Sequence, residues 1–392
     1  MSERLKILSV VGARPNFVKM APLLHEMKRH VQIESFLVHT GQHYDEKLSE
    51  IFFRQLNIPA PNANLNVGSG SHAAQTAEIM RRIEPVLLEN RPDLVLVVGD
   101  VNSTVAASLT AAKLEIPLAH VEAGLRSFDR KMPEEINRVL TDALADYLFA
   151  TEEQAIDNLI HEGRPSESIY FVGNVMIDAL LQFLPLAEKS RIGEDLGMAN
   201  GSEWSRYALL TLHRPSNVDS VDDIRQITGA VNTVAEKVPV IFPVHPRTAE
   251  RLTAANLSLH PSVKTVPPLA YLDFLSLLSH STFVFTDSGG IQEETTALGV
   301  PCLTLRENTE RPVTVTTGTN VLVGRDPQAI IHAAEAVLLG NTKKGKIPEL
   351  WDGCASGRIV KRLLAITGRC NPLIEEPDTG QSLAQSRIRL LP

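Results

Sequence analysis

The sequence predicts an α/β fold of two successive domains, each a parallel sheet covered by helices, and three observations carry that reading. Short β-branched runs alternate with segments of helical period along most of the chain. The 392 residues exceed what one hydrophobic core organises, the usual domain holding about 150. The alternation becomes less regular between about Pro185 and Arg206, where charged and glycine-bearing residues collect, and then restarts, which puts the break near residues 175 to 205.

In order, LKILSVVG reads as a strand leading into the helix PNFVKMAPLLHEMKRH, and IESFLVHT as the next strand. AAQTAEIMRRIEPVLLEN then reads as a helix, DLVLVVGD as a buried strand and STVAASLTAAKLE as its following helix. PLAHVEA, YLFAT and IYFVGN complete the strands of a first domain over residues 1–175. Strands joined by helix-length crossovers run parallel and are covered on both faces. YALLTLH, VPVIFPVHP, VKTVPP, TFVFTDSGG and VPCLTL repeat the pattern in a second domain over 176–367. Its last helical segment, SGRIVKRLLAITG, is a candidate to cross back to the first domain, and residues 375–392 read as a polar tail.

Composition is that of a soluble globular protein, 43% hydrophobic and 21% charged. A net charge of -8 argues against general affinity for nucleic acid or anionic membrane, because no basic field exists to release counterions. Cys302, Cys354 and Cys370 are odd in number and widely spaced, which indicates neither a disulfide framework nor a zinc site. With no signal-peptide pattern and no 18-residue apolar run, a cytoplasmic location is expected, and no metal.

Ligands of open parallel sheets sit beyond the carboxyl ends of the strands. After the first strand, Gly12-Ala13-Arg14-Pro15 leads into a helix carrying Lys19, which suits a phosphate or carboxylate and equally a glycine turn with two solvated cations. It is neither GxGxxG nor a P-loop, so no dinucleotide or ATP is implied. Asp100 follows the DLVLVV strand and, taken alone, is more simply a helix cap than a catalytic carboxylate. Glu122 directly follows another strand, and Pro133-Glu134-Glu135 opens a helix whose dipole already favours acids. Together Asp100, Glu122 and Glu134 are harder to dismiss, since carboxylates converging in one cleft supply a general acid and base near neutral pH.

In the second domain, Thr211-Leu212-His213-Arg214-Pro215 and His245-Pro246-Arg247 follow strands, so position raises His213 and His245 above ordinary loop histidines. The strongest local signal is Thr286-Asp287-Ser288-Gly289-Gly290-Ile291-Gln292-Glu293-Glu294. There Ser288, Gly289 and Gly290 offer a hydroxyl and open amides to a phosphate, and Glu294 can accept from ribose hydroxyls. The 306–312 loop with Arg311 is placed to close over phosphates, and residues 268–271 with Phe274 to wall a base.

Taken in order, GARPNFVKMAP, HTGQH, GDVNST, HVEAGLRSFDRKMPEEINR, TLHRPSN, PVHPRT, FTDSGGIQEE and NTERPVTVTTGT resemble the non-hydrolysing UDP-N-acetylglucosamine 2-epimerases from about residue 5 to 365. The resemblance implies a GT-B-like pair of Rossmann-like domains with the active site in the interdomain cleft, no cofactor, and a homodimer. It implies UDP in the second domain, with Ser288, Gly289 and Gly290 at the diphosphate, Glu294 at the ribose and Phe274 near the uracil. Arg14, His213 and Arg311 would also meet the nucleotide or its phosphates, while Lys19, Asp100, Glu122 and Glu134 face the sugar as the catalytic set, with which His213 is also counted. The implied chemistry eliminates UDP to give 2-acetamidoglucal and adds it back after C2 is reprotonated on the opposite face, with Asp100 and Glu134 first for proton transfer and Glu122 supporting.

Many bacterial relatives hold a second UDP-N-acetylglucosamine as activator through a glutamine three residues after the Gln42 position. Asp45 stands there in this chain and residues 67–75 carry no cation, so this mode is not expected, although Gln42, His43 and His245 remain candidates to line the cleft. The RSFDRKMPEEINR segment also resembles enzymes acting on UDP-2,3-diacetamido-glucuronic acid. A hydrolysing relative, a glycosyltransferase needing an acceptor, and a non-catalytic sugar-nucleotide binder are the other readings.

Overall fold

The structure is a computed structural model that describes residues 4–41 and 53–368. The chain forms two compact units, residues 1–182 with 349–392 and residues 183–348. The divisions thus follow Gln182 and precede Glu349, where the sequence reading had 175 and 367.

The first unit runs β1 (Leu5–Val11), α1 (Arg14–Lys28), β2 (Ile33–His39), β3 (Ala63–Asn64), α2 (His72–Asn90), β4 (Leu94–Val98), α3 (Asn102–Lys113), β5 (Leu118–Ala123), α4 (Pro133–Leu144), β6 (Tyr147–Ala150), α5 (Glu153–His161), β7 (Ile169–Phe171) and α6 (Val175–Ala187), the last crossing the division. Among the described residues its seven strands pair in the order β3-β2-β1-β4-β5-β6-β7, all parallel. Every side chain of β4 is buried, as a central parallel strand under helices on both faces requires.

The second unit continues with α7 (Ile192–Asp195), the two-residue strands β8 (Ala199–Asn200) and β9 (Glu203–Trp204), β10 (Ala208–Thr211), α8 (Pro215–Val218), α9 (Val221–Ala235), β11 (Val240–Pro243), α10 (Pro246–Ala254), β12 (Val263–Val266), α11 (Tyr271–His280), β13 (Phe283–Thr286), α12 (Gly289–Leu298), β14 (Cys302–Thr304), α13 (Pro312–Thr316), β15 (Asn320–Leu322) and α14 (Pro327–Leu338). Its parallel sheet has the order β12-β11-β10-β13-β14-β15. Counted within the unit this is 3-2-1-4-5-6, the doubly wound order, and the first sheet repeats it with one strand added. In such sheets the crossovers diverge where the order reverses, leaving a crevice beyond the strand ends: between β1 and β4 in the first unit, and between β10 and β13 in the second.

The final helix, α15 (Ala355–Ile366), packs on α1 of the first unit. Buried Asp178 of α6 accepts from the Ala355 amide at 3.0 Å and the Ser356 amide at 2.6 Å, satisfying N–H groups that a helix start leaves unpaired. Trp351, 1% exposed, donates its indole N–H to the Thr151 carbonyl at 3.1 Å. No helix among the described residues is long and apolar enough to cross a membrane.

Candidate active site

The crevice of the first sheet begins at Gly12, where a Cβ would lie 2.6 Å from Thr40 Oγ1 and closer still to Ser103 Oγ. Only glycine lets the chain turn there into α1. Asn16 on the first turn accepts from the Ala13 amide at 3.3 Å and donates to the Val98 carbonyl at 2.7 Å, tying the start of α1 to the end of β4. One turn on, Lys19 is buried and ion-paired with Glu122.

Glu122 lies inside β5 rather than directly after a strand, at a register shift between Val121 and Ala123, with φ +70°. A left-handed non-glycine residue costs about 1–2 kcal/mol and marks a backbone held by its surroundings. Here the irregularity aims a buried carboxylate at Lys19 instead of along the strand face, as bulges do beside functional sites. Gly99, at φ +69°, has its missing Cβ position 3.4 Å from Glu122 Oε2 and 3.5 Å from Lys19 Nζ, so the Gly99-Asp100 turn abuts that ion pair.

Asp100 does not cap the next helix, because Val101 is the N-cap of α3 and no side chain caps it. Its carboxylate takes a 2.5 Å hydrogen bond from Arg138 of α4, and its carbonyl accepts from Asn137 at 2.9 Å. His120, fully buried in β5, donates from Nε2 to the Gly99 carbonyl at 2.9 Å, while its Nδ1 is 2.6 Å from Asp142. Burial alone would raise Asp142, but His120, Arg126 and the Gly124 amide outweigh it and hold its carboxyl below the usual range.

Glu134 and Glu135 have different fates. Glu135 is buried and accepts from the Ser127 amide, the Phe128 amide and Arg138, which overcome burial and lower its pKa; it is structural. Glu134, second residue of α4, is half-buried. Lys19, Asp100 and Glu122 are thus brought together around the β4 end, and Glu134 sits on the helix that holds Asp100.

In the second unit, Asp287, directly after β13, is fully buried and takes the amides of His213 at 2.9 Å and Arg214 at 2.8 Å, with His213 Nδ1 2.9 Å from its other oxygen. Burial opposes its charge, but His213 and those amides keep its carboxyl lowered. The β10 and β13 exits are thereby locked together, and His213 is half-exposed at their junction. Ser288 is the N-cap of α12 without a capping side-chain bond, and Gly289 and Gly290 are that helix's first residues. Behind them lies a buried lattice: Glu310 pairs with Arg311 at 2.6 Å, Arg306 at 2.7 Å and Arg214 at 3.3 Å, and Arg311 also pairs with Glu293 at 2.8 Å. Glu310 is driven well below the carboxylate range by Arg311, Arg306 and Arg214 despite its burial. Three guanidiniums thus gather beside a helix N-terminus, an arrangement suited to a phosphorylated ligand.

Buried Glu294, on the second turn of α12, accepts a 3.0 Å bond from the Tyr271 hydroxyl, which fixes its carboxylate; burial and then Glu294 push the Tyr271 pKa well up. Phe274 lies one turn after Tyr271 on α11 and is half-buried. His245 is the exposed N-cap of α10, its ring accepting from the Arg247 amide at 3.4 Å. Arg14 opens α1, but its side chain, like Gln42, His43 and Asp45, lies outside the described residues.

Sequence reading missed the residues that hold these groups in place. Arg138 stands four after Glu134, a helical spacing that was available as a signal, whereas the Arg214, Arg306 and Glu310 pairings join segments up to 96 residues apart.

A family model described as UDP-N-acetylglucosamine 2-epimerase matches residues 25–364. The UDP-N-acetylglucosamine 2-epimerase of Methanocaldococcus jannaschii is 44% identical over 367 residues, 92% of this chain and 99% of the relative. The UDP-2,3-diacetamido-2,3-dideoxy-D-glucuronate 2-epimerase of Pseudomonas aeruginosa is 42% identical over 362 residues, again 92% and 99%. A crystal structure of the Methanocaldococcus jannaschii UDP-GlcNAc 2-epimerase in complex with UDP-GlcNAc and UDP matches with a TM-score of 0.85, covering 92% of this chain and 99% of that one. With a family match spanning most of its length and 42–44% identity to relatives covered almost end to end, this chain belongs to the UDP-N-acetylglucosamine 2-epimerase family.

Proposed function

We propose that the chain is an isomerase that inverts C2 of UDP-N-acetylglucosamine to give UDP-N-acetylmannosamine. The observation that carries this reading is the pairing of two chemistries in one chain: a lysine and two acids at the switch point of the first sheet, with a third acid, Glu134, on the helix that holds Asp100, and an arginine-rich cradle at the switch point of the second. We assign both to one substrate molecule, the diphosphate at Ser288, Gly289, Gly290, His213 and Arg311, the ribose at Glu294, the uracil near Phe274, and the sugar at Lys19, Asp100, Glu122 and Glu134. Arg14 and His245 complete the proposed binding set.

The C2 proton of the sugar is too weakly acidic for simple removal. A carboxylate takes it as the C1–O bond to UDP breaks, the electron pair forming the C1=C2 bond of 2-acetamidoglucal. The arginine cradle stabilises the departing diphosphate, where negative charge develops. A carboxylic acid then returns a proton to C2 from the opposite face as UDP oxygen re-forms the bond at C1. Asp100 and Glu134 are the proton-transfer pair in this scheme, and Glu122, paired with Lys19, supports them. Protons and bonds balance without an external oxidant or acceptor.

We further place the enzyme in the cytoplasm as a homodimer. The free, buried thiol of Cys302 fits a reducing compartment, and sedimentation reads the second. The central test is incubation with UDP-N-acetylglucosamine in heavy water. Deuterium at C2 of both epimers is the expected result; free N-acetylmannosamine, or no exchange, rejects the reading.

A further inference from the structure

We propose that Arg138 is a positioning residue for this reaction: from within α4 it fixes the carboxylate of Asp100 in register with Glu134, one turn earlier on the same helix. The inference rests on the reading of Asp100 and Glu134 as proton-transfer groups. Arg138 is 2% exposed and is gripped from behind by Glu135 Oε2, 3.0 Å from its Nε and 2.7 Å from its Nη2. Glu135 cannot swing away, because it also accepts from the Ser127 amide at 3.0 Å and the Phe128 amide at 2.8 Å. The guanidinium is therefore preset, and Nη1 presents a 2.5 Å donor to Asp100 Oδ2.

The backbone of the turn is held without Arg138. The carbonyls of Val98, Gly99 and Asp100 take side-chain donors from Asn16 of α1, His120 of β5 and Asn137 of α4 respectively. What Arg138 adds is the orientation of the Asp100 carboxylate itself. Glu134 and Arg138 are four residues apart and share a helix face, so α4 carries one acid and aims the other. Stability alone is a weak reason to bury a guanidinium between two carboxylates, since the solvation lost offsets much of the attraction gained. A proton-transfer group, in contrast, has to lie within hydrogen-bond reach of its proton, and about 1 Å of misplacement costs roughly 100-fold.

The test is C2 hydrogen–deuterium exchange into UDP-N-acetylglucosamine by the full chain, comparing Arg138→Met, Arg138→Lys, Asp100→Asn and the double variant Asp100→Asn/Arg138→Met. Arg138→Met is expected to lower kcat for exchange roughly 100-fold while KM and UDP affinity hold. Arg138→Lys, which keeps the charge, recovers part of that loss. The double variant exchanges within about 2-fold of Asp100→Asn alone, because Arg138 acts only through Asp100. Losses that multiply in the double variant, a loss confined to KM, or wild-type exchange in Arg138→Met would each overturn the assignment. If Arg138→Met does not fold by circular dichroism, Arg138→Lys takes its place in the same cycle and is judged by the same criteria. A wild-type chain that exchanges no deuterium removes the parent reading, a result distinct from wild-type exchange with indifferent Arg138 variants.

Discussion

Replacing Gly289 by alanine isolates the phosphate cradle from every other part of the molecule. The added Cβ would stand 2.6 Å from Glu310 Oε1 and closer still to Arg311 Nη1, separations that real Cβ atoms do not show. Backbone strain is not involved, because Gly289 does not have a positive φ. Arg311 and Glu310 must both yield, and Arg311 has little freedom: its side chain is 5% exposed and pinned by Glu293 at 2.8 Å and Glu310 at 2.6 Å. Under the proposed assignment, moving it removes one charge-assisted bond to the diphosphate, worth about 1.5–3 kcal/mol, or roughly 10- to 150-fold in affinity. Calorimetric titration with UDP reads this directly, with heat-unfolding as a check on stability. Gly229→Ala is the control: it sits within α9, meets nothing within 4 Å, and gains about 0.5–1 kcal/mol of stability with UDP affinity unchanged. Wild-type UDP affinity in Gly289→Ala would refute the assignment of the cradle.

Acid is expected to unfold the protein earlier than its neutral-pH stability suggests. Glu135, Asp142, Asp287 and Glu310 are all lowered in the fold, so the stability they contribute is complete above the unfolded carboxyl pKa of about 4 and is lost as pH falls through their folded values. Asp178, raised by burial, runs the other way and is outnumbered. The urea midpoint should therefore drop between pH 6 and pH 3, and a flat midpoint contradicts the network. Burial pushes the Cys302 thiol up to about 11, so iodoacetamide at pH 8 should modify half-buried Cys354 while sparing Cys302 in the folded chain. Peptide mapping that finds Cys302 modified first would mean that its strand is not packed as described.

The strand ends were readable because glycines punctuate them. Gly12, Gly99 and the Gly289-Gly290 pair each mark a place where the chain leaves a buried strand sharply, and the polar residues beside them follow from position alone. The interior placement of Glu122 was not readable. A left-handed glutamate in a strand, paired with Lys19 103 residues away, is a tertiary arrangement that no local propensity encodes. The same holds for Asp100, whose partner is 38 residues distant: the local rule for an acid before a helix is capping, and a tertiary ion pair overrides it. The return of the final helix to the first unit likewise depends on Asp178 and Thr151, 177 and 200 residues from their partners, beyond any window of periodicity.

That return sets an order on synthesis. The segment that completes the first unit, with Trp351 and α15, is made only after the whole of residues 183–348. At about 5–20 residues per second the nascent amino-terminal sheet waits roughly 10–35 s for it. During that interval the face of α1 that α15 will cover stays open, while the inserted unit already has every strand of its own sheet. Ribosome pausing or early termination after residue 348 would therefore leave a finished second unit attached to an unfinished first one, a species for chaperones to hold.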